Sequence, residues 1–144
     1  MVVTAERLKV LREMANISQS QAGEIVGVQY RTYQKYEYGQ AIPPLEKMVE
    51  FALYYSTSVS YLIGVSDKRK VDVRKNATFA QRICLLREKS NLLQREVAAE
   101  LGIHERTYRK YELGEILPMV KTLKIIAAFY GVSVDYLVGL DVAE

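Results

Sequence analysis

The sequence repeats itself once, and this internal repeat limits the possible folds more than any other feature. A shift of 75 residues aligns 5–66 with 80–141 without a gap, and 23 of the 62 aligned positions are identical by direct count. The densest block of identity is the run Arg31-Thr32-Tyr33-x-Lys35-Tyr36-Glu37-x-Gly39, which returns as Arg106-Thr107-Tyr108-x-Lys110-Tyr111-Glu112-x-Gly114. Two copies of this length are too few and too long for a solenoid. The chain is therefore predicted to form two similar globular domains.

The distribution of charge marks the boundary between the copies. Residues 1–65 carry six basic and six acidic side chains, and residues 78–144 carry nine of each. The net charge of +3 therefore lies in 66–77, which has five basic and two acidic residues. A polar segment without an apolar period is typical of a linker. We predict domains at 1–65 and 78–144, joined by a basic linker at 66–77 that adds solubility or contacts phosphates.

Each copy has the periodicity of helices. In the first copy we expect five, near 4–15, 19–27, 30–37, 45–55 and 58–63, with breaks at Gly27, Gly39 and the pair Pro43-Pro44. The repeat predicts five more in the second copy. No segment shows strand alternation bounded by hairpin turns. The fold class is therefore expected to be all-α.

The middle of each copy meets the physical requirements of a helix-turn-helix motif. Two helices that cross steeply over a short turn need a small residue where their backbones meet. Gly23 and Ala98 stand at that position, four residues before the turn glycines. The helix after the turn must present polar side chains, and both copies have them there.

These residues carry a family resemblance that extends over nearly all of each copy. The pattern Gln19-x-x-Ala22-Gly23-x-x-Val26-Gly27-Val28-x-x-x-Thr32-Tyr33-x-x-Tyr36-Glu37-x-Gly39 resembles the Cro and phage-repressor (XRE-type) helix-turn-helix family, as does its second copy. The resemblance implies two tandem five-helix, lambda-repressor-like domains in a prokaryotic or phage-type regulator. It implies binding to a double-stranded DNA operator, with a recognition helix of each domain in the major groove, and regulation of transcription, as a repressor.

The resemblance also assigns roles to matched residues. Gln19 and Gln94 are expected near a phosphate, because exposed helix N–H groups favour an anion there. Arg31 and Arg106 are the expected base readers, since arginine can bond guanine in bidentate fashion. The remaining expected DNA contacts of the first copy are Gln29, Tyr30, Gln34 and Lys35, and those of the second are His104, Glu105, Arg109 and Lys110. Because Glu105 replaces Tyr30, the two copies are expected to prefer different half-sites.

Two ion pairs are predicted from the same resemblance. Glu37 and Glu112 end their recognition helices, where a negative charge opposes the helix dipole. An arginine of the first helix compensates for this charge in the family, and the matched residues are Arg12 and Arg87. The pairs Arg12–Glu37 and Arg87–Glu112 are expected to support the fold rather than to read DNA.

Several function classes are excluded at this stage. No nucleophile has a histidine base, no glycine-rich phosphate loop is present, and one histidine with one cysteine cannot build a metal site, so we expect neither an enzyme nor a cofactor. Cys84 cannot form an intramolecular disulfide, and the sequence suggests no signal peptide, membrane span or small-molecule site. A cytoplasmic location is expected.

Two questions stay open in the sequence. One copy, more plausibly the second with Glu105, could be a protein-interaction or dimerisation module while the other reads DNA. A homodimer with four recognition helices is equally compatible with the sequence, as is an inverted or a direct arrangement of half-sites.

Overall fold

The computed structural model describes residues 2–143, which form ten helices and two short strands. The helices of the first repeat are α1 (Val2–Met14), α2 (Gln19–Ile25), α3 (Tyr30–Glu37), α4 (Leu45–Tyr55) and α5 (Val59–Leu62). Strand β1 (Asp72–Lys75) follows. The second repeat has α6 (Phe79–Lys89), α7 (Gln94–Leu101), α8 (Glu105–Leu113), α9 (Val120–Tyr130) and α10 (Val134–Leu137), followed by strand β2 (Leu140–Ala143). The predicted helical fold is confirmed, and the bounds of α3 and α4 agree with those expected from the sequence.

The chain divides into two compact units. The first contains residues 2–74 together with 142 and 143, and the second contains 75–141. Each unit therefore holds the five helices of one repeat. None of the helices described is long and apolar enough to cross a membrane.

The two units bury the same positions of the repeat. The fully buried side chains of the first unit include Leu8, Tyr33, Met48, Phe51 and Leu62, and those of the second include the aligned residues Ile83, Tyr108, Leu123, Ile126 and Leu137. Burying each of these apolar side chains contributes roughly 1.5–3 kcal/mol. The duplicated sequence thus encodes a duplicated core.

Tyr33 and Tyr108, which lie on the recognition helices, belong to this core. Tyr33 and Tyr108 are fully buried, so they cannot stack on bases. The aromatic residues at the ends of the fourth helices are less deeply buried. Tyr55 is half-buried, whereas Tyr54 is 49% exposed and Phe129 is 37% exposed.

A two-stranded sheet of β1 and β2 is the feature that the sequence analysis missed. Strand β1 lies within the segment 66–77, where Val71 and Val73 alternate with charged residues. Val71 is buried, and its N–H donates to the carbonyl of Ser56 at 3.0 Å. This alternation is the period of a half-buried strand, but it is too short to stand out from a polar linker.

Gly139 closes the second unit at a point where no side chain fits. Its φ is +88°, and a Cβ added there would lie 1.8 Å from the carbonyl oxygen of Ala77. The carbonyl of Gly139 accepts hydrogen bonds from the N–H groups of Asn76 and Ala77, at 2.8 and 3.2 Å. By contrast, a Cβ at Gly131, whose φ is +67°, would meet nothing within 4 Å.

Candidate nucleic-acid interface

Helices α2 and α3 approach each other closely at Gly23. A Cβ at this glycine would lie 3.0 Å from the carbonyl oxygen of Val28 and 3.4 Å from Cβ of Tyr33. The corresponding residue of the second unit, Ala98, is buried and carries the one methyl group that α7 and α8 accommodate. Both contacts agree with the small residue expected at a helix-turn-helix crossing.

The two motifs differ in how their first helix begins. Ser18 accepts a hydrogen bond from the N–H of Gln21 at 3.1 Å, and Gln21 accepts one from the N–H of Ser18 at 2.8 Å, which completes a capping box. Leu93 has no side-chain oxygen, so α7 retains only the bond from its N–H to Glu96, at 2.8 Å. The start of α7 is therefore capped more weakly than that of α2.

The recognition helices α3 and α8 start without a side-chain cap. Neither Gln29 nor His104, the residues before these helices, makes a side-chain capping hydrogen bond. The polar groups of these two side chains do not cap the helices, and both residues are exposed to solvent. Among the residues expected to touch DNA, Gln29, Tyr30, Arg31, Lys35, His104, Glu105, Arg106 and Arg109 are exposed, and Gln19, Gln34, Gln94 and Lys110 are half-buried.

The structure brings together both arginine–glutamate pairs that the sequence matched. Arg12 Nε donates to Glu37 Oε1 at 2.7 Å, and the Glu37 side chain is only 1% exposed. Arg12 also donates to the carbonyl of Ile17 at 3.1 Å, so it joins the end of α1 to the loop that follows it. Each pair therefore ties α1 or α6 to a recognition helix.

The pair of the second unit is bidentate. Arg87 donates to Glu112 from Nε at 2.6 Å and from a terminal nitrogen at 3.0 Å. Burial alone would raise the pKa of Glu112, but hydrogen bonds from Arg87, Tyr108 and Gln94 hold it below its ordinary value. The hydrogen bond to Glu112 raises the pKa of Arg87 against the effect of burial. Both groups are thus held in their charged forms.

The glutamines that open α2 and α7 have an internal partner that the sequence analysis missed. Gln19 Nε2 donates to Glu37 Oε2 at 2.5 Å, and Gln94 Nε2 donates to Glu112 Oε1 at 3.1 Å. The carboxylate of each ion pair is therefore also bonded to the residue that was expected near a phosphate. The sequence did offer a signal for this contact, because the arginine, the glutamine and the glutamate are each identical in the two copies.

The outer faces of α3 and α8 carry different polar groups. On α3, Gln34 Nε2 donates to the Tyr30 hydroxyl at 2.8 Å and to Gln19 Oε1 at 3.3 Å. On α8, the aligned residues form an ion pair, with Arg109 3.6 Å from Glu105. One helix therefore presents a neutral hydrogen-bonded cluster where the other presents two opposite charges.

A second repeated arginine was not singled out from the sequence. Arg7 lies over the ring of Tyr61, and Arg82 lies over that of Tyr136, each with its guanidinium carbon 4.2 Å from the ring centroid. Arg82 also pairs with Asp141 at 3.1 Å. These contacts fasten the first helix of each unit to its last, away from the recognition helices.

No group of three or more metal-ligating side chains occurs within residues 2–143.

Two segments match the sequence model of the helix-turn-helix family, residues 8–62 and residues 85–137. Together they cover most of the chain, and each contains one complete motif. The chain belongs to the helix-turn-helix family. The predicted Cro and phage-repressor resemblance, in two tandem copies, is confirmed.

Curated relatives of this helix-turn-helix protein are bacterial. The chain is 36% identical over 72 residues to the uncharacterized HTH-type transcriptional regulator YobD of Bacillus subtilis, covering 49% of this chain and 64% of YobD. It is 40% identical over 61 residues to the cryptic phage CTXphi transcriptional repressor RstR of Vibrio cholerae, covering 42% of this chain and 55% of RstR. The chain thus spans less than two thirds of the length of either relative.

A solved structure gives a similar match. A transcriptional regulator from Listeria innocua aligns with a TM-score of 0.43 at 30% identity, over 48% of this chain and 64% of that one. The family and its named relatives are regulators rather than enzymes, which agrees with the expectation from the sequence.

Proposed function

We propose that this helix-turn-helix protein is a sequence-specific double-stranded DNA-binding regulator that represses transcription. The observation that carries the proposal is the pair of recognition helices α3 and α8, each of which presents exposed basic side chains within a matched segment. Relatives named as transcriptional regulators and as a phage repressor support it.

Arg31 and Arg106 are the proposed base readers. Both lie in the first turn of their helix and are exposed, and neither takes part in an ion pair within residues 2–143. A guanidinium without an internal partner can bond O6 and N7 of guanine together. Lys35 and Lys110 lie one turn further along and supply charge for bases or phosphates.

The glutamines that open α2 and α7 are proposed to lie beside phosphates. Gln19 and Gln94 each donate a hydrogen bond from the side-chain NH2 group to a buried carboxylate. What each offers to the backbone of DNA is therefore the environment of a helix start, where N–H groups without an intrahelical partner attract an anion, although the Ser18 cap of α2 already takes up one of them. Gln29 and His104 complete the proposed contact surface at the starts of α3 and α8.

A chain with two recognition helices can contact two half-sites of an operator, as a dimer with one recognition helix per subunit does. Two successive major grooves on one face of DNA lie about 34 Å apart. A chain that carries two readers can engage both, and the first binding event raises the effective concentration of the second reader. We therefore propose a two-part operator with unequal halves, because Tyr30 and Gln34 are replaced by Glu105 and Arg109 in the second unit.

A second candidate function has its own observation. At the end of α8 and in the segment that follows it, the side chains of Leu113, Leu117 and Met119 are exposed, Met119 by 78%. Apolar side chains grouped on a surface are typical of protein contacts. In this alternative the first unit alone reads DNA, and the second binds a protein or a second copy of the chain.

A selection of bound duplexes from a random DNA library tests the proposal. The purified full chain is used at near-physiological salt, because non-specific binding dominates at low salt. A two-part motif with a spacing of about one helical turn is the expected result. A single short half-site would favour the alternative, and the absence of any enriched sequence would refute DNA reading by either unit.

A further inference from the structure

A continuous network of side chains runs from the buried ion pair of the first unit to its recognition surface. Arg12 holds Glu37, Glu37 accepts from Gln19 at 2.5 Å, and the other end of Gln19 accepts from Gln34 at 3.3 Å. Gln34 also donates to the Tyr30 hydroxyl at 2.8 Å. We call Glu37, Gln19, Gln34 and Tyr30 the Gln19 network.

The chemistry of Glu37 sets the direction of every hydrogen bond in this network. A carboxylate paired with a guanidinium only accepts hydrogen bonds, so Gln19 must turn its NH2 group toward Glu37. Its carbonyl oxygen then faces α3, where it needs a donor. Gln34 supplies a donor at 3.3 Å and the Tyr30 hydroxyl supplies a second at 3.5 Å, so the amide orientation of both glutamines follows from one buried charge.

This orientation leaves Gln34 with an acceptor to offer. An amide NH2 has two protons, and those of Gln34 go to the Tyr30 hydroxyl and to Gln19 Oε1. Within the part of the chain that the structure describes, no group donates to Gln34 Oε1. Reversing the amide would set two acceptors against each other, the oxygens of Gln34 and Gln19, and the single proton of the Tyr30 hydroxyl could then serve only one of them.

We propose that Gln34 is a specificity-determining residue that reads an exocyclic amino group in the major groove, N6 of adenine or N4 of cytosine. The inference rests on the proposed function. In the major groove adenine and cytosine present amino donors, whereas guanine O6 and thymine O4 are acceptors. A phosphate also presents only acceptors, so it does not match the free oxygen of Gln34. Gln19 is a positioning residue that fixes the amide.

The second unit has the opposite polarity at the matched position. Arg109 stands where Gln34 does, and a guanidinium has donors and no acceptor. Gln94 still donates to Glu112, at 3.1 Å, and Arg109 is paired with Glu105 on its own helix. Because Arg109 can only donate hydrogen bonds, it favours an acceptor, either guanine or a phosphate. One duplicated position would in this way distinguish amino bases from keto bases.

The test compares sequences selected from a random duplex library by the full chain and by its variants. Wild type should enrich one base pair at a position of a half-site, and the amino base of that pair, adenine or cytosine, is the expected contact of Gln34. Gln34→Ala should lose that preference there by about fivefold or more while other positions keep theirs, the scale of a single mismatched base pair. Gln34→Arg, which copies the second unit, should shift the same position toward guanine.

The positioning role of Gln19 has its own variant. Gln19→Ala should weaken the amino-over-keto preference at the Gln34 position, because the amide of Gln34 can then reverse. Gln40→Ala is the matched control, since it removes an exposed glutamine of the same unit that lies outside the Gln19 network. Circular dichroism of each variant verifies that the fold is retained.

The outcomes separate this inference from the function on which it rests. No enriched sequence with wild type would overturn both. An enriched motif in which Gln34→Ala alters no position, or in which wild-type binding survives removal of the amino group from the affected base (purine in place of adenine, 2-pyrimidinone in place of cytosine), would overturn the role of Gln34 alone. An unchanged preference in Gln19→Ala would overturn the positioning role.

Discussion

Replacing Arg12 by alanine should strongly destabilise the first unit. The substitution leaves the carboxylate of Glu37, whose side chain is 1% exposed, without its cation, and it also removes the bond to the carbonyl of Ile17. Removing one partner of a buried ion pair costs roughly 3–5 kcal/mol. Gln19 and Tyr33 still donate to Glu37, so we expect about 3 kcal/mol.

That loss is large for a unit of this size. At roughly 0.05–0.15 kcal/mol per residue, a domain of about 65 residues has a free energy of unfolding of roughly 3–10 kcal/mol. Urea titration of the full chain followed by amide hydrogen exchange and mass spectrometry resolves the two units separately. In Arg12→Ala, the amides of the first unit should exchange through unfolding at a lower urea concentration than in wild type. The urea dependence of exchange in the second unit should be unchanged.

Two further variants make the reasoning refutable. Arg109→Ala breaks the exposed pair with Glu105 and should cost no more than about 1 kcal/mol. The double variant Arg12→Leu with Glu37→Leu removes both charges and should recover much of the loss, because no buried charge remains unpaired. A loss below about 1 kcal/mol for Arg12→Ala would refute the account of this ion pair as the link between α1 and α3.

Three other predictions concern the second unit and the tyrosines of the fourth helices. Gly139→Ala should destabilise the chain by about 1–3 kcal/mol more than Gly131→Ala, since both change a positive φ but only the former adds a clash with backbone; equal melting temperatures would contradict this. Because its pKa is lowered in the fold, Glu112 stabilises the second unit above the ordinary carboxyl pKa of 4.5, and this contribution is lost as the pH falls through the lowered value. Unfolding free energies measured between pH 3 and 7 should accordingly depend less on pH in Glu112→Gln, and parallel curves would count against it. Burial raises the pKa of Tyr55 to about 12, and its buried hydroxyl has no hydrogen-bond partner within residues 2–143, so Tyr55→Phe should be neutral or stabilising. Tyr130→Phe loses a 3.4 Å bond to another tyrosine and should cost about 1 kcal/mol in the same denaturation assay, and the reverse order of the two would contradict the reasoning.

Much of the fold could be predicted from the sequence because the same pattern occurs twice in it. A helical period that recurs at the same offset, with glycine and proline at the same breaks, identifies five helices per unit even though α5 and α10 have only four residues each. The strand at Val71 and Val73 was not predicted, because two alternating valines among charged residues are a weak pattern. Its pairing with residues near the other end of the chain depends on tertiary structure.

The candidate site was readable as residues but not as hydrogen bonds. Arg31, Lys35, Arg106 and Lys110 stand at the positions that the family pattern indicates, and all four lie on the recognition helices. The direction in which an amide points depends on its neighbours in three dimensions. The link from Glu37 through Gln19 therefore emerged only from the structure.

The central claim is that Arg31 and Arg106 read bases, and equilibrium binding tests it most directly. The full chain, Arg31→Ala and Arg106→Ala are titrated with the selected duplex and with a shuffled duplex at one salt concentration. Lys124→Ala is the control, since it removes one exposed positive charge outside the recognition helices. Each arginine variant should lose about fivefold or more in the ratio of specific to shuffled affinity, and Lys124→Ala should keep that ratio. An unchanged ratio in both arginine variants would contradict base reading by α3 and α8.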